Sequence, residues 1–437
     1  MTRIMKKINT TVYVPLATDV IHEGHLNIIK KANKLGQVII GILSDKAITQ
    51  YKQLPLFSEF ERIQEARKLK NVNQVIVQNE WSYKKILKKI KPNYFIHGDD
   101  WKKGIQKKIR SEVIETLKKT GGKLVEVQYT KGISGYKIKK KLLKLGISPD
   151  HRKSLLRRLI NSKEIVRIIE SHSALTALIV DRLSLTRNKR IVEFDGLWSS
   201  SLTDSTLRGK PDNQSLDYTV RINSLSDILD VTHKPIIFDG DNGGRIEHLD
   251  YLIKNLERNG VSAIVIEDKK GLKLNSLFKN QDSSQQESIG EFCKKIKKII
   301  RVRISKDFLV IARIESFILN RSENEALMRA TKYAKAGADG ILIHSKNKNP
   351  KEIIDFAKKF RKIINNIPLV AVPSTYSRTY EKELIKNGFK IIIYANQLLR
   401  SSYKSMSDTA KSILKYGRSY EAEKKISSIN ELINLIK

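Results

Sequence analysis

Residues 264–277 read IVIEDKKGLKLNSL. Ile264, Val265 and Ile266 form a short β-branched run of the kind that fills a buried strand. The run ends in two carboxylates, Glu267 and Asp268. It then passes into a glycine-containing loop with Lys269, Lys273, Asn275 and Ser276. Taken alone, this is a strand end followed by a solvated lysine loop. Its neighbours change that meaning.

Strand-like segments recur at 166–172, 191–198, 235–241, 261–267, 309–315, 340–345, 369–374 and 391–396, mostly separated by helical stretches. Eight βα units over about 270 residues predict a (β/α)8 barrel, with a doubly wound open sheet as the alternative. In a barrel, chemistry collects at the C-terminal strand ends. Here those ends are polar in succession: Trp198-Ser199-Ser200-Ser201, Asp239-Gly240-Asp241, Glu267-Asp268, Arg313 with Glu315, and His344-Ser345-Lys346.

Asp239, Asp241 and Glu267 are hard oxygen donors, which suit Mg2+ with its retained waters. A period of two places Asp239 and Asp241 on one side of a strand. The plain alternative for this tripeptide is a turn. Arg313 offers a planar fork for phosphate or carboxylate, unless it is spent on a salt bridge to Glu315. His344 is a further donor. Lys273 and Asn275 lie on a loop that could close over a bound anion. Together these groups describe a small substrate carrying phosphate and carboxylate, held on Mg2+.

Ahead of the barrel, strands are read near 11–16, 37–43, 74–78, 94–97 and 123–128, with amphipathic helices between them. The alternation breaks at 129–160. The expected domains are 1–143, a linker with a basic helix at 144–160, and the barrel at 161–437.

The net charge of the 437 residues is +37. Nucleic-acid binding is one reading of that charge. Compositional bias is the preferred one, because the basic residues interleave with apolar helix faces throughout the chain. No run of about 18 apolar residues occurs, so no membrane span is expected. The N-terminal stretch lacks the pattern of a secretory signal. The single cysteine, Cys293, is read as helix packing. It forms no internal disulfide and fits a reducing cytoplasm.

The segment from about 190 to 435 resembles phosphoenolpyruvate mutase, of the isocitrate lyase superfamily. EDKKGLKLNSLF looks like that family's signature loop, and FDGLWSSSL, GKPDN, FDGDNGG, IARIESF, GADGILIHS and VPSTY follow in family order. The resemblance implies rearrangement of phosphoenolpyruvate to phosphonopyruvate. It assigns Mg2+ to Asp239, Asp241 and Glu267, partly through water. Trp198, Ser200 and the backbone around Ser201 and Leu202 match the cradle of the pyruvyl end. Arg313, His344 and Asn275 match the groups around the phosphoryl, with Ser276 also on the substrate. Lys273 matches the loop lysine and Asp212 a loop aspartate. Lyases of the family carry a cysteine in this loop, which here has none. Phosphonopyruvate hydrolase is closer but usually lacks the asparagine that Asn275 supplies. Ser201 and Asn242 depart from the common glycine and threonine.

The first part resembles the H-x-G-H cytidylyltransferase superfamily through VYVPLATDVIHEGHLNIIKKA. His22 and His25 would hold triphosphate oxygens at a helix N-terminus. HGDDW at 97–101 places Asp99 in the nucleotide segment, and GISGYKIK at 132–139 puts Ser134 against phosphate. Ala17-Thr18-Asp19 and Gly135-Tyr136 depart from the family pattern. The domain is therefore either active with altered contacts or a binding relic.

The combined expectation is a Rossmann-like nucleotidyltransferase domain fused to a phosphoenolpyruvate mutase-type barrel, a cytoplasmic enzyme of phosphonate biosynthesis. The N-terminal domain would transfer CMP from Mg2+-bound CTP, or use ATP, with a phosphonate such as 2-aminoethylphosphonate as acceptor. A homo-oligomer, dimer or tetramer, is expected, and no nucleic-acid partner. The alternatives are a phosphonopyruvate hydrolase or other lyase with a degenerate nucleotide domain, and a basic nucleic-acid-binding scaffold.

Overall fold

The structure, a computed structural model, describes residues 10–102, 104–128, 135–144, 146–187, 190–271, 273–276, 281 and 283–436. Its contacts divide the chain into two compact units. One runs to Gly146 and includes Asn161–Lys163 and Leu185–Val192. The other comprises Ile147–Ile160, Glu164–Ser184 and Glu193–Lys437. Among the described residues, no helix is long and apolar enough to cross a membrane.

The first unit is built on five parallel strands: β1 (Thr11–Leu16), β2 (Gln37–Leu43), β3 (Gln74–Gln78), β4 (Tyr94–Gly98) and β5 (Lys123–Val127). Their order is β3-β2-β1-β4-β5. Alternate residues of β1 feed two cores, Tyr13 on one face and Val12 with Val14 on the other. The sheet is thus covered on both sides, as a parallel sheet requires. Strand order reverses between β1 and β4. Such a switch point opens a crevice at the carboxyl ends of the two strands.

The second unit is a closed, all-parallel eight-stranded barrel. Its strands in chain order are β6 (Val166–Glu170), β9 (Gly196–Ser199), β10 (Ile236–Asp239), β11 (Ala263–Glu267), β12 (Leu309–Ile314), β13 (Gly340–Ile343), β14 (Leu369–Ala371) and β15 (Phe389–Tyr394). Between β6 and β9 lie β7 (Ser184–Arg187) and β8 (Arg190–Glu193), a separate two-stranded sheet. The expected single strand at 191–198 is therefore two strands, β8 and β9. The break is physical. Asp195 turns its carboxylate back to accept from the Arg167 N–H at 2.8 Å. A Cβ at Gly196 would also stand 2.7 Å from the Pro235 carbonyl oxygen, so β9 needs glycine to enter the barrel.

Helices cover the barrel. Ile289–Val302 is typical: Ser288 caps it, and Phe292, Ile296 and Ile299 form its buried stripe. Helix Pro149–Ser162 also belongs with the barrel as far as Ile160. Arg152 donates to the carbonyls of Leu229 and Thr232 at 3.2 and 3.1 Å, and Leu156 and Leu159 are buried.

The strand period sorts the barrel's residues. Ile264 and Ile266, Val310, Ala312 and Ile314, and Ile341 and Ile343 pack into the helix-side core. The alternate series, ending in Glu267, Arg313 and His344, takes the other face.

Candidate active site

Glu267 and Arg313 are register neighbours on β11 and β12. Such neighbours present their side chains on one face, and Arg313 Nη2 lies 3.3 Å from Glu267 Oε2. The Arg313–Glu315 salt bridge foreseen as an alternative is also present: Nε donates to Oε1 at 2.6 Å. It leaves Nη2 to donate to Ser276 Oγ at 2.7 Å. His344 Nδ1 lies 2.9 Å from that same Nη2 and 3.0 Å from Glu315 Oε1. Glu315 thereby orients both the Arg313 guanidinium and the His344 imidazole. Ser276 in turn donates to Glu315 Oε2 at 2.5 Å. Burial, followed by the Arg313 charge, pushes the His344 imidazole below its usual value.

Asp239 ends β10, but Asp241 does not continue a strand. Its φ is 48°, in the left-handed region, with Gly243 and Gly244 at 81° and 66° beyond it. The period-two expectation for this pair thus fails at Gly240. A Cβ there would stand 2.7 Å from the Ile264 side chain, so only glycine lets the turn pass so near β11. The turn, rather than the pleat, brings the two carboxylates together. Lys273 Nζ contacts Asp241 Oδ1 and lies 3.8 Å from Asp239 Oδ2 and 3.1 Å from Asp212 Oδ1. Ser201 donates to Asp239 Oδ2 through Oγ at 2.8 Å and N–H at 3.2 Å, so that backbone group serves the aspartate here. Asn275 Nδ2 donates to Asp212 Oδ2 at 2.8 Å.

Burial pushes the Asp239 carboxyl up, but Lys273, Arg313 and Arg221 outweigh it and hold it at about 2. Glu267 goes the other way. Burial raises it to about 7 against the pull of Arg313.

Trp198, Ser200, Ser201, Leu202, Asp212, Asp239, Lys273, Asn275, Ser276, Arg313 and His344 all line one cavity of about 70 Å³. Asp241 and Glu267 stand behind that lining. Among the described residues, no three His, Cys, Asp or Glu side chains close on one point as a ready metal cage. Mg2+ does not need one, because it keeps several waters and takes few carboxylates directly. Glu267 Oε1 is buried with no hydrogen-bond partner among the described residues, while Glu267 Oε2 faces Arg313 and Asp241 Oδ1 faces Lys273. With Asp239, these carboxylate oxygens are a donor set that fits a partly hydrated Mg2+.

Several residues of this site are not among those the sequence assigns to it. Arg221 is buried on helix Tyr218–Asn223. It donates to Asp204 Oδ2 at 2.8 Å and the Asp239 carbonyl at 2.7 Å, and sits 3.4 Å from Asp241 Oδ2. Lys269 donates to Leu274 O, Ser276 Oγ and Gln281 Oε1 at 2.9, 3.1 and 2.8 Å, holding the loop from below. Ser374 and Asn396 complete the cavity wall. The available signal for Arg221 was a charged residue at an apolar position of an amphipathic helix.

In the first unit, His22 is the N-cap of helix Glu23–Asn33, at the end of the loop leaving β1. Its ring centroid lies 3.9 Å from that of His25, and its N–H donates to His25 Nδ1 at 3.3 Å. Burial first, then His22, Lys52 and His97, depress His25 to about 3. Asp99 opens the turn Asp99–Lys102 directly after β4, the strand beside β1. His22, His25 and Asp99 therefore lie on the segments that leave the two switch-point strands. Asp19 anchors the β1 loop by accepting from the N–H groups of Leu56 and Phe57. Lys52, overlooked in the sequence, donates to the Ala17 carbonyl. Ser134 lies outside the described residues.

A family model described as phosphoenolpyruvate phosphomutase matches residues 156–414, and one described as cytidylyltransferase-like matches 18–141. The chain is 34% identical over 296 residues to phosphoenolpyruvate phosphomutase of Tetrahymena pyriformis, 67% of this chain and 94% of that one. It is 27% identical over 205 residues to ethanolamine-phosphate cytidylyltransferase of Arabidopsis thaliana, 44% of this chain and 47% of that one. The crystal structure of phosphonopyruvate hydrolase with oxalate and Mg++ aligns at a TM-score of 0.58 and 29% identity, over 65% of this chain and 94% of that one. The chain belongs to the phosphoenolpyruvate phosphomutase family, and it carries a cytidylyltransferase-like domain ahead of its barrel.

Proposed function

We propose that the barrel interconverts phosphoenolpyruvate and phosphonopyruvate, moving phosphorus between the enol oxygen and C3. The observation that carries this reading is one small cavity shared by a carboxylate rim, Asp239 backed by Asp241 and Glu267, and a hydrogen-bonding rim, the Arg313 guanidinium with the His344 imidazole. Asp239, Asp241 and Glu267 would hold Mg2+, partly through water, and the ion would supply positive charge for the substrate's enol and carboxylate oxygens. Phosphoryl transfer is loose, so the protein's task is to position and neutralise. Arg313 and His344 hold phosphoryl oxygens, fixed in place by Glu315. Trp198, Ser200 and the turn at Ser201 and Leu202 hold the pyruvyl end. The loop bearing Lys273 and Asn275, tied to Asp212, keeps water from the migrating group.

Hydrolysis of phosphonopyruvate is the second reading, favoured by the 29% identity to a hydrolase. Asn275 argues for the mutase, through the family pattern. Phosphorus NMR with phosphonopyruvate and Mg2+ separates the two. Appearance of phosphoenolpyruvate supports the mutase, and pyruvate with free phosphate alone replaces it by the hydrolase.

For the N-terminal domain, the proposed reaction is transfer of CMP from CTP to a phosphonate such as 2-aminoethylphosphonate. The named substrate of the Arabidopsis relative, ethanolamine phosphate, differs from that phosphonate only by its bridging ester oxygen. His22, His25 and the helix N-terminus supply the triphosphate site. Pyrophosphate release is to be compared for CTP and ATP with both acceptors. No release with any pair makes the domain a binding relic.

A further inference from the structure

The barrel holds a buried amide with no internal duty. Asn396 follows β15 and is 8% exposed. It lines the cavity, and its Oδ1 has no hydrogen-bond partner among the described residues. Buried polar side chains are nearly always partnered, so a lone one asks for an explanation.

The expected duty is helix capping. Asn396 is the N-cap residue of helix Gln397–Tyr416, and asparagine is among the best N-caps because its side chain bonds the N–H of the second or third helical residue. Here it makes no such bond. The third N–H, of Leu399, is instead bound by Glu170 Oε2 at 3.0 Å. Glu170 is buried at the end of β6, the next strand around the barrel, and its other oxygen is engaged by His172. Capping has thus been handed to a neighbouring strand, and the Asn396 amide is left facing the cavity.

Its place in the ring indicates what it meets. Strand order runs β10-β11-β12-β13-β14-β15-β6-β9. The carboxylates belong to β10 and β11, and Trp198 to β9. The phosphoryl-side rim begins with Arg313 on β12 and His344 after β13, and Ser374 and Asn396 continue the same arc after β14 and β15. Asn396 therefore lies across the barrel from Glu267, away from the metal side. A phosphoryl group that migrates from the enol oxygen to C3 needs donors at both ends of its path. Rotation of the amide about χ2 presents Nδ2 to that group.

Resting on the mutase reading above, we propose that Asn396 is a further substrate-contacting residue, whose carboxamide donates to phosphoryl oxygens from the side of the barrel opposite the carboxylates. The test compares two ligands in the full chain with Mg2+. Oxalate mimics the enolate end and has no phosphoryl; phosphonopyruvate has both. Calorimetry on Asn396→Ala is expected to show unchanged oxalate binding and phosphonopyruvate binding weaker by about 10- to 100-fold, the loss of one hydrogen bond to a charged group. Asn396→Asp, nearly isosteric but anionic, is expected to weaken it further. Asn396→Ser is the companion if Asn396→Ala does not fold, with the same split expected. Equal weakening of both ligands makes the residue structural and overturns the proposal, as does no change in either. Failure of the wild-type chain to form phosphoenolpyruvate, with phosphonopyruvate still bound, removes the mutase reading but leaves the contact decided by the same comparison.

Discussion

The side-chain amide of Asn242 donates to the carbonyl oxygen of Gly271 at 2.7 Å. Its own oxygen accepts from Gln214 Nε2 at 2.9 Å, and Gln214 Oε1 accepts from the Lys273 N–H at 3.3 Å. Two amides thus tie the loop bearing Lys273 by its backbone to the turn after β10. A threonine at this position would be too short to make both contacts. Asn242→Ala and Asn242→Thr are expected to lower kcat/KM by about fivefold to tenfold, the size of one or two hydrogen bonds. Faster amide hydrogen exchange at 271–276, with overall melting almost unchanged, checks that the loop is the cause. A change in melting without faster loop exchange counts against it.

Removing Arg221 strips one guanidinium from Asp204, Asp241 and two strand-end carbonyls at once. A buried ion pair broken on one side costs about 3–5 kcal/mol. Arg221→Ala should therefore lower the barrel's melting temperature, and Arg221→Lys should not restore it, because a single ammonium cannot reproduce the fork. Scanning calorimetry decides; a melting curve matching wild type would mean that this arginine is dispensable.

Chelation should abolish phosphonopyruvate turnover and Mg2+ should restore it. Glu267→Gln keeps the shape but removes the charge, and is expected to raise the Mg2+ requirement at least about tenfold. Asp241→Ala should eliminate turnover altogether. Retention on DNA at rising salt is the control: a protein whose purpose is nucleic-acid binding through its +37 charge would keep that retention and show no turnover to lose.

His25 yields a pH prediction. Its folded value of about 3 lies below that of an unfolded histidine, so the unfolded chain takes up a proton that the folded chain refuses. The stability of the first unit should be intact above about pH 6.5 and decline as pH falls from there towards 3. Urea unfolding at pH 7 and pH 5, followed by NMR of the histidine ring, measures this. His25→Gln should flatten the dependence, and an unchanged slope would assign it to another group.

Much of the fold was legible because strands with carboxylate or basic ends stand out against lysine-rich amphipathic helices. Glu267, Arg313 and His344 were readable since a period of two carries each to the inner face with its strand. Asp241 comes beside Asp239 by a route other than strand alternation: the pleat stops at Gly240, and a left-handed turn carries it there. Strand β8 was joined to β9 in the expected strand 191–198 because the run continues through a kink that Asp195 and Gly196 create.

The sequence by itself determined two α/β units and the chemical types gathered at one barrel rim, since both follow from local periodicity and from which residues end each strand. Only the tertiary structure decided which charges meet. Arg221 reaches the rim from a helix, Glu315 orients Arg313 and His344 from within, and Glu170, 229 residues from the Leu399 N–H it binds, relieves Asn396 of capping. Such pairings depend on closing the barrel, which brings together strand ends that no local pattern connects.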